Sequence, residues 1–494
     1  MEEYPLISKY NPILESILNF SQNKNVKIFI VGGFLRDLLL KRRSPSVDID
    51  FAIKKNAIAF ARRLAKKLRA GFVVLDKDNG CARLVLKDRR GIYALDFTDL
   101  RGKDLLEDLG RRDFSINSFA IGLKDFLIVS KSKRGFKFNS IKDYLQDPYG
   151  GYKDLESKVI RIINLAVFDD DPLRILRAFS LSSLLNFGIT AKTLKLIKKK
   201  KNKLKMVSSE RIRDELFKIL SSKRGHQFLC SLDRYKILEL IIPEVKELYQ
   251  IDQGRHHHLD VWKHTLETVN QLEKILDSSN QRQEITDYLN EDVSSGRHRY
   301  ELLKLAALMH DIGKPRTLRV EKGKVSFHGH ERVGVEMLKE LAKKLKLSNN
   351  EMSLLKRLVR FHLRPGYLAN NPILTPRAKF RFFRDVSNEA IGVLLISLAD
   401  QRATRGILAT RKSRQRHERL IRRLINDYLK KKREKKIKSL INGYDIMKKF
   451  NLEPSFLIGR VLSEVQEERA IGKIRTKKEA LRLARTIINK EKGE

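Results

Sequence analysis

The pattern of apolar and polar positions divides the chain into a short region of mixed strands and helices and a long region of helices. Apolar residues at helical spacing predict a helix over 4–25, and an amphipathic basic helix is expected over 57–68. Short apolar runs predict five strands, at 28–31, 47–51, 72–75, 82–86 and 93–97. The pattern therefore indicates an α+β multidomain protein, in which a small mixed α/β head precedes all-α domains.

The first predicted strand ends at Gly32 and Gly33, and the residues that follow have helical spacing. Glycine lets the backbone approach a phosphate closely, and the free N–H groups of a helix start face such an anion. Arg36 lies one turn further along the same helix. This strand, turn and helix are therefore predicted to bind phosphate through Gly32, Gly33 and Arg36.

Two aspartates, Asp48 and Asp50, follow on the next predicted strand. Side chains alternate along a strand, so both carboxylates lie on one face, as a Mg²⁺-dependent phosphoryl or nucleotidyl transfer requires. Asp96 has apolar neighbours on both sides in the last strand and is a candidate third catalytic carboxylate, with a structural role as the alternative. Two aspartates spaced like Asp48 and Asp50 more often lie at a solvated edge or turn when they occur alone. The combination of these aspartates with the glycine turn and Arg36 favours a metal site.

These residues resemble the head domain of the DNA polymerase beta-like nucleotidyltransferases. Within them, the resemblance narrows to the class II group, which contains tRNA CCA-adding enzymes and bacterial poly(A) polymerases. Residues 107–118 resemble the motif R-R-D-F-x-x-N of that group, and the match is nearly complete. In this motif Arg112 is suited to bind a triphosphate or the RNA end, and Asp113 and Asn117 are suited to bind a ribose.

Residues 169–179 resemble the E-D-x-x-R motif of the same group. The resemblance implies that Asp171 and Arg174 read the Watson–Crick edge of the incoming nucleotide, in place of a nucleic-acid template. The spacing predicts that Asp171, Arg174 and Arg177 lie on one helix face, with a surface ion pair as the alternative. The resemblance implies that these residues contribute to nucleotide binding. Two positions depart from the family, because Asp170 replaces a glutamate and Ser180 replaces an arginine.

The connection between the last head strand and the R-R-D-F motif is short. Only residues 98–110 lie there, and much of this segment has the pattern of an ordered helix. Class II enzymes that switch from adding C to adding A usually carry a longer flexible segment at this place. The short connection therefore favours an enzyme that adds C.

A second group of histidines and carboxylates begins after residue 255. Imidazole and carboxylate groups suit a divalent transition metal. The order of these residues resembles the HD superfamily of metal phosphohydrolases, which implies hydrolysis of phosphomonoesters or 2′,3′-cyclic phosphates. Any one of them alone is more often an ordinary surface or core residue. The expected ligands are His264, His310, Asp311, His330, His362 and Asp400, with Lys314 placed to contact a bound phosphate.

The resemblance also implies a domain order. The expected parts are a polymerase beta-like nucleotidyltransferase head over 1–150, a helical neck with the nucleotide-reading motif over 151–250, an HD domain over 251–405 and a basic helical RNA-binding tail over 406–494. Basic clusters over 411–438 follow a long helical pattern in the tail, which suggests a surface that binds phosphates.

Charge and cysteine content narrow the partners. The chain has 103 lysines and arginines against 60 aspartates and glutamates, a formal net charge of +43, which indicates a polyanionic partner. Nucleic acid is favoured over membrane, because no run approaches the roughly 18 apolar residues of a spanning helix and the N-terminus lacks a signal-peptide pattern. Cys81 and Cys230 form neither a disulfide framework nor a metal motif, so a cytoplasmic location is expected.

Together these features predict a template-independent RNA nucleotidyltransferase. It would add C to tRNA 3′ ends, with A left open as a further nucleotide, and would carry an HD phosphohydrolase activity. Asp48 and Asp50 are expected to hold Mg²⁺, and the expected partners are the tRNA 3′ end and acceptor arm, CTP and ATP, with no membrane and no obligate protein partner. The alternatives are a poly(A) polymerase, or an HD metal phosphohydrolase whose head is an RNA-binding module.

Overall fold

The computed structural model describes residues 5–42, 47–88, 91–130, 141–278, 282–371, 373–433 and 439–492. The chain separates into two compact units, Met1–Arg211 and Ile212–Glu494. The first unit contains a mixed sheet with helices, and the second is almost entirely helical, which confirms the predicted fold class. The finer division at residues 150, 250 and 405 stays a prediction.

A six-stranded sheet forms the centre of the first unit, with the strand order β3-β4-β5-β2-β1-β6. The strands are β1 Ile28–Val31, β2 Val47–Ile53, β3 Gly71–Asp76, β4 Cys81–Asp88, β5 Gly91–Asp99 and β6 Ala120–Gly122. Strands β2 and β5 run parallel, and all other neighbours in this sheet are antiparallel. The five strands predicted from the sequence are confirmed, and β6 is added at the edge.

One face of the sheet is packed. The other is covered by α4 (Leu105–Gly110) over Val31, Ala52 and Ala120, and it is open over β3 and β4. Phe51 and Phe97 are fully buried and stack at 4.8 Å on the packed face, where Phe60 of helix α3 (Ala57–Leu68) contacts the Phe97 ring. Residues that alternate with these along the strands point to the other side of the pleat. This unequal burial explains the alternating pattern of β3, β4 and β5, and the acidic positions lie on the partly open face.

The remaining elements of the first unit are short helices and one small strand pair. Besides α3, the helices are α1 Pro5–Gln22, α2 Gly33–Leu39, α4 Leu105–Gly110, α5 Leu123–Ser130, α6 Gly151–Glu156, α7 Val167–Asp170, α8 Arg174–Leu185 and α9 Ala191–Lys200. Strands β7 (Val159–Ile160) and β8 (Gly188–Ile189) pair in parallel. Helix α10, Ser209–Ser221, spans the boundary between the two units.

The second unit is built from helices around α21 (Ala390–Ala403), which is buried along almost its whole length. Its further helices are α11 Gly225–Arg234, α12 Leu238–Ile241, α13 Val261–Leu276, α14 Gln283–Leu289, α15 Arg299–Met309, α16 Lys314–Thr317, α17 His330–Lys344, α18 Asn349–Phe361, α19 Arg364–Asn370, α20 Pro376–Val386, α21 Ala390–Ala403 and α22 Arg411–Arg433. Two short hairpins pair β9 (Asp292–Ser294) with β10 (Arg297–His298), and β11 (Arg319–Glu321) with β12 (Lys324–Ser326). No helix in the described ranges is long and apolar enough to cross a bilayer.

The last three helices share a small apolar core of their own. They are α23 Gly443–Phe450, α24 Phe456–Ala470 and α25 Lys477–Lys492. Ile446, Val461 and Ile488 are buried between them. The basic helix expected over 411–438 is present as α22, and residues 434–438 lie outside the described part of the chain.

Residues 278–297 are mostly polar, which predicts a surface insertion, and the structure differs from this prediction. Residues 279–281 lie outside the described chain, and the rest forms α14 and the first hairpin of this unit. Tyr288 of α14 is buried and donates a hydrogen bond of 2.9 Å to Glu389. The apolar positions of α14 therefore belong to the core, although the polar residues around them masked this in the sequence.

Candidate active site and metal centre

Three carboxylates lie side by side on the open face of the head sheet. The parallel pairing of β2 with β5 places Asp50 directly opposite Asp96, and Asp48 lies two residues earlier on the same face. The Asp48 side chain is 61% exposed, whereas the side chain of Asp96 is largely covered. The structure thus brings together the three acids predicted from the sequence, with one side open to a ligand.

The glycine turn packs directly against this acidic group. Gly32 has φ +75°, and a Cβ placed on it would lie 2.7 Å from Oδ2 of Asp50 and 3.6 Å from Nη1 of Arg112. Real Cβ atoms do not approach a heavy atom so closely, so a side chain at this position would displace Asp50. A Cβ on Gly33 would meet only the tip of Arg36, at 3.3 Å. The requirement for glycine is therefore strict at residue 32.

Arg83 is a member of this site that sequence reasoning missed. It donates two hydrogen bonds of 2.7 Å to the two oxygens of Asp96, and its Nη2 lies 3.8 Å from Oδ1 of Asp48. Alternation along β4 put Arg83 on the solvent face, but only the register of β4 against β5 shows which acid it meets. Arg83 therefore fixes the Asp96 carboxylate and leaves Asp48 and Asp50 more available.

The acidic group favours a bound cation. Burial raises the pKa of Asp50 to about 6, with a further rise from the Asp48 carboxylate and an opposing effect of Arg112. Burial, followed by the charge of Asp96, also raises the pKa of Asp48. Crowded carboxylates with raised pKa values are a hard oxygen donor set with uncompensated negative charge. The residues present therefore fit Mg²⁺.

Arg36 and Asn117 contact each other in the structure. The Arg36 guanidinium donates to both oxygens of Asp37 at 3.0 and 2.8 Å, and to Oδ1 of Asn117 at 2.8 Å. Asn117 in turn donates to Oδ1 of Asp113 at 3.0 Å. These contacts tie the helix after the glycine turn to the R-R-D-F motif, and the predicted phosphate and ribose contacts of these three residues stay predictions.

Asp113 is buried and charged. Burial would raise its pKa, but Arg177, whose Nε lies 2.9 Å from Oδ2, and hydrogen bonds from Asn117 and the Phe114 N–H together lower the pKa of Asp113. The Arg177 charge also lowers the pKa of Asp50. Arg177 therefore joins helix α8 to both predicted motifs of the head.

The predicted helix face of Asp171, Arg174 and Arg177 is wrong. Asp171 has extended backbone angles, φ −150° and ψ 101°, and helix α8 begins only at Arg174. The cause is Pro172, because a residue before proline is disfavoured in the helical region. Asp171 instead lies ahead of the helix, where its Oδ2 pairs with Arg211 at 2.7 Å.

Arg174 is buried and holds the backbone of the R-R-D-F motif. Its Nη2 donates to the carbonyl oxygen of Arg111 at 2.8 Å, and its Nη1 donates to that of Arg112 at 3.4 Å. The Arg112 side chain pairs with the buried Asp108 at 2.9 Å. Residues 169–179 and the R-R-D-F motif are therefore one connected structure, with Asp171 at its edge.

In the second unit, the structure brings together all six residues predicted for the HD site. Asp311 lies at the centre, with Nε2 of His310 at 3.1 Å, Nε2 of His330 at 3.2 Å and Nε2 of His362 at 3.9 Å from its oxygens. His264 Nε2 lies 2.9 Å from Asp400 and 3.8 Å from Asp311. Two overlapping sets of these residues offer atoms close enough to hold an ion.

Three histidines of this centre are oriented by backbone carbonyls. The Nδ1 atoms of His310, His330 and His362 lie 2.8, 2.8 and 2.7 Å from the carbonyl oxygens of residues 307, 327 and 359. A proton on each Nδ1 leaves the Nε2 lone pair facing the centre, as a metal ligand requires. His310 Nε2 and Asp311 Oδ2 are buried without a hydrogen bond of good geometry to the described chain. The residues therefore fit a divalent transition metal.

Two further residues of this centre contact the ligands. Lys314 Nζ lies 2.6 Å from Oδ2 of Asp311 and donates to Gln253 at 2.6 Å. His257, which sequence reasoning did not single out, packs its ring edge-on against His264 at 4.7 Å, and burial lowers its pKa to about 3. Three consecutive histidines at 256–258 gave no signal for which one packs against the centre.

Three parts of the chain match known protein families. Residues 28–161 match the poly(A) polymerase head domain, residues 186–249 match the probable RNA- and SrmB-binding site of polymerase A, and residues 261–405 match the HD domain. The A-adding tRNA nucleotidyltransferase of Deinococcus radiodurans is 30% identical over 458 residues, which cover 91% of this chain and 93% of the relative. The chain belongs to the tRNA nucleotidyltransferase family. This membership confirms the predicted family and enzyme class, and it implies a divalent metal.

Other members of the tRNA nucleotidyltransferase family are similar over the same length. The CC-adding tRNA nucleotidyltransferase of Thermus thermophilus is 29% identical over 466 residues, covering 92% of each chain. A CCA-adding enzyme solved with ATP has a TM-score of 0.64 at 22% identity, covering 97% of this chain and 96% of that one. The Thermotoga maritima CCA-adding enzyme complexed with tRNA has a TM-score of 0.60 at 22% identity, covering 97% and 95%. These structural likenesses establish the fold.

Proposed function

We propose that this chain adds C to the 3′ end of tRNA, using CTP and Mg²⁺. The observation that carries this proposal is the group of three carboxylates on the open sheet face, packed against a turn at which only glycine fits. The CC-adding relative from Thermus thermophilus supports the choice of C and of tRNA. The net charge of +43 supports an RNA partner of considerable size.

The residues of the head have distinct parts in this reaction. Asp48 and Asp50 would hold Mg²⁺, with Asp96 beside them; the bound metal would neutralise the triphosphate and activate the 3′-hydroxyl. Gly32 lets the phosphates approach the backbone, and Arg112 lies beside the same turn to receive their charge. The Arg83 ion pair keeps the Asp96 carboxylate in place while the substrates bind.

Asp171 and Arg174 are proposed to select the base. An acidic acceptor and an arginine donor in one plane pair with the edge of cytosine better than with that of uracil. Asp171 pairs with Arg211, so base binding would exchange that partner for the cytosine amino group. Arg174, held on the carbonyl oxygens of Arg111 and Arg112, would remain in place as the rigid half of the pair.

Addition of A is a second candidate, because the Deinococcus radiodurans relative is A-adding and is 30% identical over almost the whole chain. The short ordered connection, with helix α4 directly before the R-R-D-F motif, favours C. Poly(A) addition to general RNA is disfavoured by the agreement of the full-length relatives on tRNA.

The test is incorporation into three tRNA transcripts that end in no C, one C or two C, with labelled CTP or ATP. C addition predicts one or two added residues with CTP on the first two transcripts, and no extension of the third with ATP. Extension of only the third transcript, with ATP, would establish A addition instead. Long A-tails on unrelated RNA would establish polyadenylation.

The HD centre is proposed to hydrolyse phosphomonoesters or 2′,3′-cyclic phosphates with a transition metal. The converging Nε2 atoms around Asp311 support this proposal. Hydrolysis of both ester types, measured with Mn²⁺, Co²⁺, Ni²⁺ or Zn²⁺ added to metal-stripped protein, tests it. If this hydrolysis is present while no nucleotide is incorporated from any nucleoside triphosphate, the HD centre is the working site and the head is an RNA-binding module.

A further inference from the structure

The open face of the head sheet carries apolar side chains beside the three carboxylates. Val73, Val85 and Ile92 are 54%, 39% and 55% exposed, and their neighbours on the opposite face, such as Leu84 and Tyr93, are buried. Valine and isoleucine are common in strands, but three of them exposed together on the face of a catalytic site need a reason. We call this surface the apolar platform.

The strand register places the platform in line with the acids. The row of paired residues that starts at Asp48 continues through Ala94 and Val85 to Gly71, all of them small or aliphatic. The strands in a sheet are about 4.8 Å apart, so Val85 lies about 10 Å from Asp48. One nucleoside whose 3′-hydroxyl lies near Asp48 is long enough to place its base on Val85.

A second row runs parallel to the first. It starts at Asp50 and continues through Asp96 and Arg83 to Val73, about 14 Å away at the edge of the sheet. Arg83 is fixed on this face by its two hydrogen bonds to Asp96. An arginine plane followed by an aliphatic side chain offers a second surface on which a base can stack.

The two sides of Asp50 are chemically different. Gly32 and Arg112 lie on the side of strand β1, where phosphates are expected, whereas the platform lies on the side of β5, β4 and β3. In an in-line displacement the attacking oxygen and the leaving phosphate lie on opposite sides of the reacting phosphorus. With pyrophosphate leaving towards Gly32, the 3′-hydroxyl must therefore approach from the platform side.

We propose that the apolar platform binds the last two nucleosides of the accepting RNA strand, and this inference rests on the proposed function. The terminal base lies on Ala94 and Val85, and the preceding base lies on Arg83 and Val73. Contact through base faces uses no hydrogen-bonding edge, so every base is accepted. That tolerance suits an enzyme whose tRNA substrates differ in the base before the added nucleotides.

The first experiment measures steady-state kinetics of Val73→Asp and Val85→Asp on tRNA and CTP. Each carboxylate would repel the RNA backbone, so KM for tRNA should rise about tenfold or more while KM for CTP stays unchanged. Ile128→Asp is the matched control, because Ile128 is 54% exposed but lies on helix α5. The milder double variant Val73→Thr with Val85→Thr keeps strand-forming side chains and should raise KM for tRNA about threefold.

The second experiment does not depend on turnover or on folding of a variant. Wild-type protein is irradiated with tRNA whose last two nucleotides carry photoreactive bases, and the cross-linked peptides are mapped. Cross-links within residues 71–96 support the platform, and cross-links elsewhere overturn it.

An unchanged KM for tRNA in the variants, with normal CTP incorporation by the wild type, overturns the platform but leaves the proposed function intact. A variant that changes oligomeric state instead of KM for tRNA shows that a second copy covers this face, and also overturns it. Absence of any incorporation by the wild type, with the platform cross-links present, overturns the proposed function alone.

Discussion

The two acidic centres of this chain are built in opposite ways. In the head, three carboxylates share an open sheet face, and Asp48 is mostly exposed. In the HD centre, the ligands are buried histidines that surround Asp311, and backbone carbonyls orient three of those histidines. An open set of oxygen ligands suits Mg²⁺ that arrives and leaves with substrate, whereas a buried, oriented set of nitrogen ligands suits a metal that stays.

The sharpest test of this comparison is to remove the head acids alone. Asp48→Ala combined with Asp50→Ala should reduce CTP incorporation by roughly 10³-fold or more, because metal stabilisation of the transition state is worth several kcal/mol. Phosphomonoester hydrolysis by the HD centre should be unchanged in the same protein. Residual incorporation near the wild-type rate would contradict the assignment of the carboxylates.

A smaller effect is expected when one oriented histidine is lost. His310→Ala should reduce the affinity for a transition metal by about 10- to 100-fold, since the site loses a ligand whose lone pair is already directed at the centre. Metal content after dialysis against a chelator, measured by mass spectrometry, reports the change. CTP incorporation serves as the control, and its loss together with the metal would show that the two centres are not independent.

The head should also respond to pH in a way that the comparison predicts. Asp50, with a pKa of about 6, must lose its proton to bind Mg²⁺, so Mg²⁺ affinity should fall about tenfold between pH 7.5 and pH 5. In the metal-free protein the raised pKa of Asp50 has the opposite effect on the free energy of unfolding, which decreases as the pH rises. The protonated carboxyl favours the folded state below the unfolded pKa, and that contribution is lost as the pH rises through about 6. Calorimetric titration of Mg²⁺ at several pH values measures the first effect, and a pH-independent affinity would contradict it.

The smallest expected change concerns the support of the head site. Arg177→Gln removes the charge that faces the buried Asp113, and should lower the free energy of unfolding of the head by about 1 kcal/mol. Urea unfolding followed by circular dichroism measures it. Lys246→Gln is the control, because Lys246 is an exposed lysine of the second unit whose pair with Glu239 is 3.7 Å long, and it should leave the urea midpoint unchanged. An equal loss of stability in both variants would mean that the burial of Asp113 has no special cost.

The sequence was informative where chemistry follows local spacing. Period-two alternation placed Asp48 and Asp50 on one face. The six members of the HD centre were identified through the resemblance to the HD superfamily and not through local spacing. Contacts between distant segments were not accessible in this way. The hydrogen bond from Arg36 to Asn117 spans 81 residues, and the Arg83 pair with Asp96 depends on a strand register that no local pattern encodes.

The misplacement of Asp171 has a different cause. Its spacing from Arg174 fits a helix face, but Pro172 excludes Asp171 from the helix. That constraint was visible in the sequence, and it outweighs spacing because it acts on the backbone. Because Asp171 lies outside the helix, it can face Arg211 while Arg174 is buried against the R-R-D-F backbone.

The close approach of Gly32 to Asp50 also limits which mutations the chain can tolerate. Even the smallest replacement, alanine, puts a carbon 2.7 Å from the carboxylate, so genetic drift at codon 32 is blocked at the first step. At codon 33 the added carbon meets only the movable end of Arg36, and a substitution there can persist. Two adjacent glycines that look equivalent in the sequence therefore differ in how freely they can vary among descendants of this gene.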